Sequence, residues 1–117
     1  MEDTGLSIRI ESLRDCDVVV LDGELDQQSA PKLGEALERA AARGKRVVVD
    51  LTELRFIDSS GLHVLLSGPG MTDGRRAVVC PPGNVARVLS IVRADAALHV
   101  YEHLDEALDG AATHREP

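Results

Sequence analysis

VVVDLTELRFIDSSGLHVLL, residues 47–66, begins as one kind of structure and ends as another. Val47, Val48, Val49 and Leu51 form a short β-branched run without polar alternation, the pattern of a strand buried on both faces. Leu62, Leu65 and Leu66 then recur at helical spacing, which would leave Ser60, His63 and Ser67 nearer solvent. Between the two, a short loop should lead into Asp58-Ser59-Ser60-Gly61, where Asp58 or Ser59 caps the helix. A buried strand that feeds a helix through a tight loop is half of a βαβ unit, so this stretch predicts an α/β fold.

The flanking sequence repeats the same alternation. Leu6, Ile8 and Ile10 alternate with Ser7, Arg9 and Glu11, as in a strand with one wet face, and the polar residues 14–17 permit a hairpin turn. Further strands are expected at 18–21, 77–80 and 98–101. Ala30, Leu33, Ala36, Leu37, Ala40 and Ala41 trace one face of a helix over 29–43, with Ser29 as N-cap, Pro31 in the first turn and Gly44 at C′. Val85, Val88, Leu89 and Val92 trace a second stripe after Pro81-Pro82-Gly83-Asn84, and Leu104, Ala107, Leu108 and Ala111 a third. The expected architecture is a mixed, mostly parallel sheet of about four to five strands, with an N-terminal antiparallel hairpin and about four helices packed on it.

Composition narrows the function classes. Twenty acidic against thirteen basic residues give a formal charge of -7, which repels nucleic-acid phosphates and anionic membrane. Phe56 and Tyr101 are too few aromatics for a base-stacking platform. No stretch has the length of an apolar membrane span, and residues 1–6 lack a signal-peptide pattern, so a cytoplasmic location is expected. Cys16 and Cys80 then read as reduced thiols. His99 and His103 have the i, i+4 spacing of a metal pair, but Val100 and Tyr101 between them look like strand and no further ligand stands at recognisable spacing, so no metal or cofactor is expected.

The chemistry converges on Ser59. A helix end leaves N–H groups unpaired and carries about half a positive charge, so a phosphate on that hydroxyl would sit where anions are stabilised. Upstream, Gly23-Glu24-Leu25-Asp26 follows the 18–21 strand, whose end should lie beside the end of 47–51, so the two loops should share one face. His63, four residues after Ser59, also raises a serine-nucleophile reading with Asp26 or Asp58 as orienting acid. It lacks a GxSxG elbow and an evident oxyanion donor pair, and binding is the simpler reading.

DGELDQQSAPKL, VVVDLTELRFIDSSGLHVLL and the helix at 104–108 together resemble the STAS domain of bacterial anti-sigma factor antagonists. The resemblance spans nearly the whole chain and implies a single STAS domain over 1–117 with an ordered core at about 5–112. It implies that Ser59, the first serine of DSSG, is phosphorylated by a partner anti-sigma factor that is also a serine kinase and uses ATP. A serine phosphatase reverses the step, and the unphosphorylated antagonist binds the anti-sigma factor and frees a sigma factor. Asp26 would lie close to the phosphoacceptor, and Asp58, Ser60, Gly61 and His63 would complete its surroundings.

Two features depart from that pattern. His63 stands where similar proteins usually have a small residue, and Ser67-Gly68-Pro69-Gly70 interrupts a helix that usually runs longer, so about two turns are expected before an irregular link to Arg76. A STAS subunit of a lipid-transport or stress-sensing complex, never phosphorylated, is the alternative within the same fold.

Overall fold

Alternating apolar residues produce the first strand, β1 (Leu6–Leu13), and an unbroken apolar run the second, β2 (Cys16–Leu25), joined by a turn in which Arg14 takes φ 56. The structure, a computed structural model, describes residues 5–110. Next come α1 (Ala30–Ala42), β3 (Arg46–Ile57), α2 (Ser59–Leu65), β4 (Arg76–Val79), α3 (Asn84–Ile91), a 3-10 turn at Ala94–Ala97, β5 (Leu98–Tyr101) and α4 (Leu104–Leu108). The strands lie in the order β1-β2-β3-β4-β5; β1 pairs antiparallel with β2 and every other pairing is parallel.

Because each parallel strand neighbours the next in sequence, right-handed crossovers bring the intervening helices to one face. There Leu33, Ala36 and Leu37 of α1, Leu65 of α2, and Val85 and Leu89 of α3 pack on Val19, Leu21, Val49, Leu51 and Val78. The opposite face carries a smaller cluster, in which Ala107 of α4 packs with Val18, Val20, Val48, Val79 and Tyr101. Alternate residues of one strand thus feed two cores, and the valine runs are buried throughout, as the unbroken apolar sequence predicts.

The expected loop at 52–57 is instead strand. β3 runs on to Ile57, and β2 runs beyond Leu21 to Leu25 beside it, with register shifts between Val20 and Asp22 and between Gly23 and Glu24. The irregular ladder lets Leu51, Leu54 and Ile57, three apart, all enter the core, whereas a regular strand turns every second residue inward. Ser29 precedes α1 without capping it by its side chain. It is already helical in backbone, and Asp26 supplies the acceptor for its N–H at 3.1 Å. Gly44 ends α1 with φ +85, as expected.

Val92 does not extend the α3 stripe. The helix stops at Ile91, Arg93 turns left-handed, and Val92 is 52% exposed. Ala111, the last member of the C-terminal stripe, lies outside the described residues.

Candidate functional site

Strand pairing brings the two loops together. Leu25 pairs with Ile57 at the ends of β2 and β3, and the Asp58 N–H donates to the Leu25 carbonyl at 3.1 Å. The chain leaves β2 as the Asp26 loop and leaves β3 as Asp58-Ser59, so the two elements emerge side by side. Asp58, rather than Ser59, caps α2: it is extended, and its Oδ1 accepts the Gly61 N–H at 3.1 Å.

Gly61 is there for space. A Cβ at this position would lie 2.5 Å from Leu25 Cγ and 3.0 Å from the Leu25 carbonyl oxygen. The first turn of α2 therefore sits directly on the end of β2, and only a residue without a side chain permits that approach.

Asp26 folds its carboxylate into its own loop. Its Oδ1 accepts the N–H groups of Gln28 and Ser29, each at 3.1 Å, while Ser29 Oγ accepts the Asp26 N–H at 2.9 Å. The Ser29 hydroxyl has two acceptors within reach of its Oγ, the Glu24 carbonyl at 3.0 Å and Asp26 Oδ1 at 3.1 Å. Asp26 is thus held in place before any partner arrives, close to Asp58 through the Leu25 pairing.

Ser59 is exposed as the first residue of α2, Asp26, Asp58 and Ser60 are half-buried, Gly61 is buried and His63 is exposed. Leu65 is fully buried, whereas Leu62 and Leu66 only flank the core and Ser67 is half-buried. Among the described residues, neither Asp26 nor Asp58 has an ion-pair partner. The Asp58 carboxylate already occupies the amino end of α2, so an anion on Ser59 would meet, besides the helix end, two carboxylates without an ion-pair partner among the described residues.

No hydrogen bond joins the Ser59 hydroxyl to the His63 ring among the described residues; His63 is linked through its carbonyl, which accepts from Ser67 Oγ at 2.7 Å. His99 lies in β5 and His103 precedes α4, so this i, i+4 pair does not share a helix. Among the described residues no group of three or more His, Cys, Asp or Glu side chains is arranged to hold a metal ion, and no helix is long and apolar enough to cross a membrane.

Arg76 escaped the sequence reading. It is fully buried, with Nε donating to the Leu65 carbonyl at 3.1 Å, Nη1 to Pro69 at 2.7 Å and Nη2 to Ser67. Burial holds its pKa below the usual arginine value. One guanidinium thus satisfies carbonyls at the end of α2 and in the glycine-rich link after it, which fixes where the short helix stops. The only sequence signal was an arginine opening an apolar run, Arg76-Ala77-Val78-Val79.

Comparison with known proteins places this geometry in context. The STAS domain family model matches residues 7–107. An anti-sigma factor antagonist from Mycobacterium paratuberculosis is 25% identical, with a TM-score of 0.76 over 92% of this chain and 94% of that one. A putative anti-sigma factor antagonist from Thermotoga maritima is 22% identical, with a TM-score of 0.69 over 90% and 94%. The Bacillus protein SpoIIAA in its phosphorylated form is 21% identical, with a TM-score of 0.56 over 90% and 99%.

Proposed function

This chain belongs to the STAS domain family, and from that premise we propose that it is an anti-sigma factor antagonist, switched by phosphorylation of Ser59. The unphosphorylated form binds an anti-sigma factor serine kinase and frees a sigma factor. The kinase, using its own ATP, phosphorylates Ser59 and ends the complex; a serine phosphatase restores it. The antagonist works in the cytoplasm as a binding protein, without catalysis or cofactor.

One observation carries this reading: an exposed Ser59 hydroxyl beside two half-buried carboxylates, Asp26 and Asp58, that have no cation among the described residues. Phosphorylation adds roughly -1.5 to -2 charges and three acceptor oxygens. Inside a docked interface that dianion must lose water next to like charge, a cost of several kcal/mol. Each ~1.4 kcal/mol weakens binding tenfold, so one group separates a tight complex from a negligible one. The exposed hydroxyl accepts phosphate without opening the core.

Incubation with the cognate kinase and ATP, followed by peptide mapping by mass spectrometry, tests the proposal. A single phosphate on Ser59, absent from Ser59→Ala, is expected. Modification at Ser60 instead, or none by a kinase shown to be active, would overturn it.

A further inference from the structure

β4 pairs with β3 only as far as Asp50, and residues 51–57 of β3 continue without a strand on that side among the described residues. β2 accompanies them through the pairs Asp22–Glu53, Glu24–Phe56 and Leu25–Ile57, with β1 beside β2 as far as Leu6–Gly23 and the Glu24 N–H donating to the Gly5 carbonyl at 3.0 Å, so this end of β2 and β3 extends past β4 as a ribbon. One face of the ribbon sends Leu25, Leu54 and Ile57 into the core. The other is the face that α4 covers lower down, where Val18, Val20 and Val48 are buried. On the ribbon no element among the described residues covers it: Phe56 is 48% exposed, and Glu24 and Glu53 are exposed around it.

We infer that this uncovered face is a second docking surface of the chain, and that it receives an extended basic segment of its protein partner. The inference rests on the proposed role as a protein-binding antagonist and names the chemistry of what it binds. Charge decides the occupant. Glu24 stands opposite Phe56, and Asp22, Glu53 and Asp50 follow along the same two strands; the cations are Arg55, bonded to Asp22 at 3.5 Å, and Arg9 of β1, which is bonded to Glu11 at 2.6 Å and lies within electrostatic reach of Asp22 and Glu53, so the face is acidic on balance. An apolar partner would bury carboxylates in excess of the two arginines, whereas arginine or lysine neutralises that excess and stacks on the Phe56 ring. The segment is extended because it lies along residues 51–57 of β3, which have no strand on their β4 side among the described residues.

A second copy of this chain fits less well. Its exposed Ile91 and Val92, with Arg87 and Arg93 beside them, are complementary in charge. They lie at the far end of the strands, however, so the contact would run head to tail without closing. Ser59 belongs to α2, on the ribbon's other face, so charge placed there leaves this surface competent.

Titration of the 15N-labelled full chain with the peptide acetyl-Gly-Arg-Val-Arg-Gly-amide, followed by NMR, tests the inference. Saturable shifts are expected at residues 22–25 and 50–57, weakened at least about fivefold by Phe56→Ser and similarly by Glu24→Gln with Glu53→Gln. The same peptide with glutamate for arginine should produce none. Ser59→Asp should leave the affinity within about twofold, so loss of Ser59 phosphorylation and loss of ribbon binding are separate failures. Shifts spread over the whole acidic surface, shifts unchanged by both variants, or ribbon shifts that grow with protein concentration alone would overturn the inference.

Discussion

Gly61 has no room for a methyl group, because Leu25 fills the space where one would go. Gly61→Ala should therefore lift the first turn of α2 and lower stability by about 1–3 kcal/mol in urea unfolding, despite alanine's better helix propensity. Leu25→Ala in the same chain should recover part of that loss; strictly additive effects in the double-mutant cycle would contradict the contact. Asp58→Ala should lower stability by about 1 kcal/mol, since the Gly61 N–H loses its acceptor. Capping chemistry is local, so the sequence limited the cap to Asp58 or Ser59. The reason for Gly61 was not legible, because Leu25 is remote in sequence and meets it only through the β2–β3 register.

At the scale of elements, Arg76 governs the length of α2. Replacing it by methionine leaves the Leu65, Ser67 and Pro69 carbonyls without their donor, at a cost of about 1–3 kcal/mol for each buried group left unpaired. Arg76→Met should accelerate amide exchange across residues 66–75 and the end of α2 while α1 keeps its protection. Arg76→Lys should restore little, since a single ammonium cannot span three divergent acceptors. Unchanged exchange in residues 66–75 would contradict this role. Glycine and proline at 68–70 made the interruption of α2 legible, but no local pattern announced the side chain that stabilises it. Helix and strand identities followed from their periodicity: α1 is written in Leu33, Ala36, Leu37 and Ala40. The distal half of β3 was missed because its buried residues recur every third position, a spacing that only a bulged ladder reconciles with a sheet.

For the whole molecule, two buried groups contribute to how stability varies with pH. The Ser12 hydroxyl, 2.6 Å away, lowers the pKa of the buried Asp17 carboxylate, and Arg43 at 3.0 Å adds to the effect. A depressed folded-state pKa contributes stability that is fully present above the unfolded value of about 3.9 and is lost as pH falls through the folded value. Asp17→Asn should therefore flatten the acid limb of the unfolding curve. Burial pushes the Cys80 thiol up to about 11. The folded state then holds its proton after the unfolded chain has released one, so stability should fall between about pH 9 and 11, less so in Cys80→Ala. These groups tune the scaffold that, in the proposed function, presents the Ser59 hydroxyl beside Asp26 and Asp58. The most direct test is the affinity of the anti-sigma kinase, measured calorimetrically without ATP, for the unmodified chain and for the chain phosphorylated at Ser59. The account predicts a loss of at least about 100-fold, matching a penalty of about 3 kcal/mol; equal affinities for the two forms would contradict it.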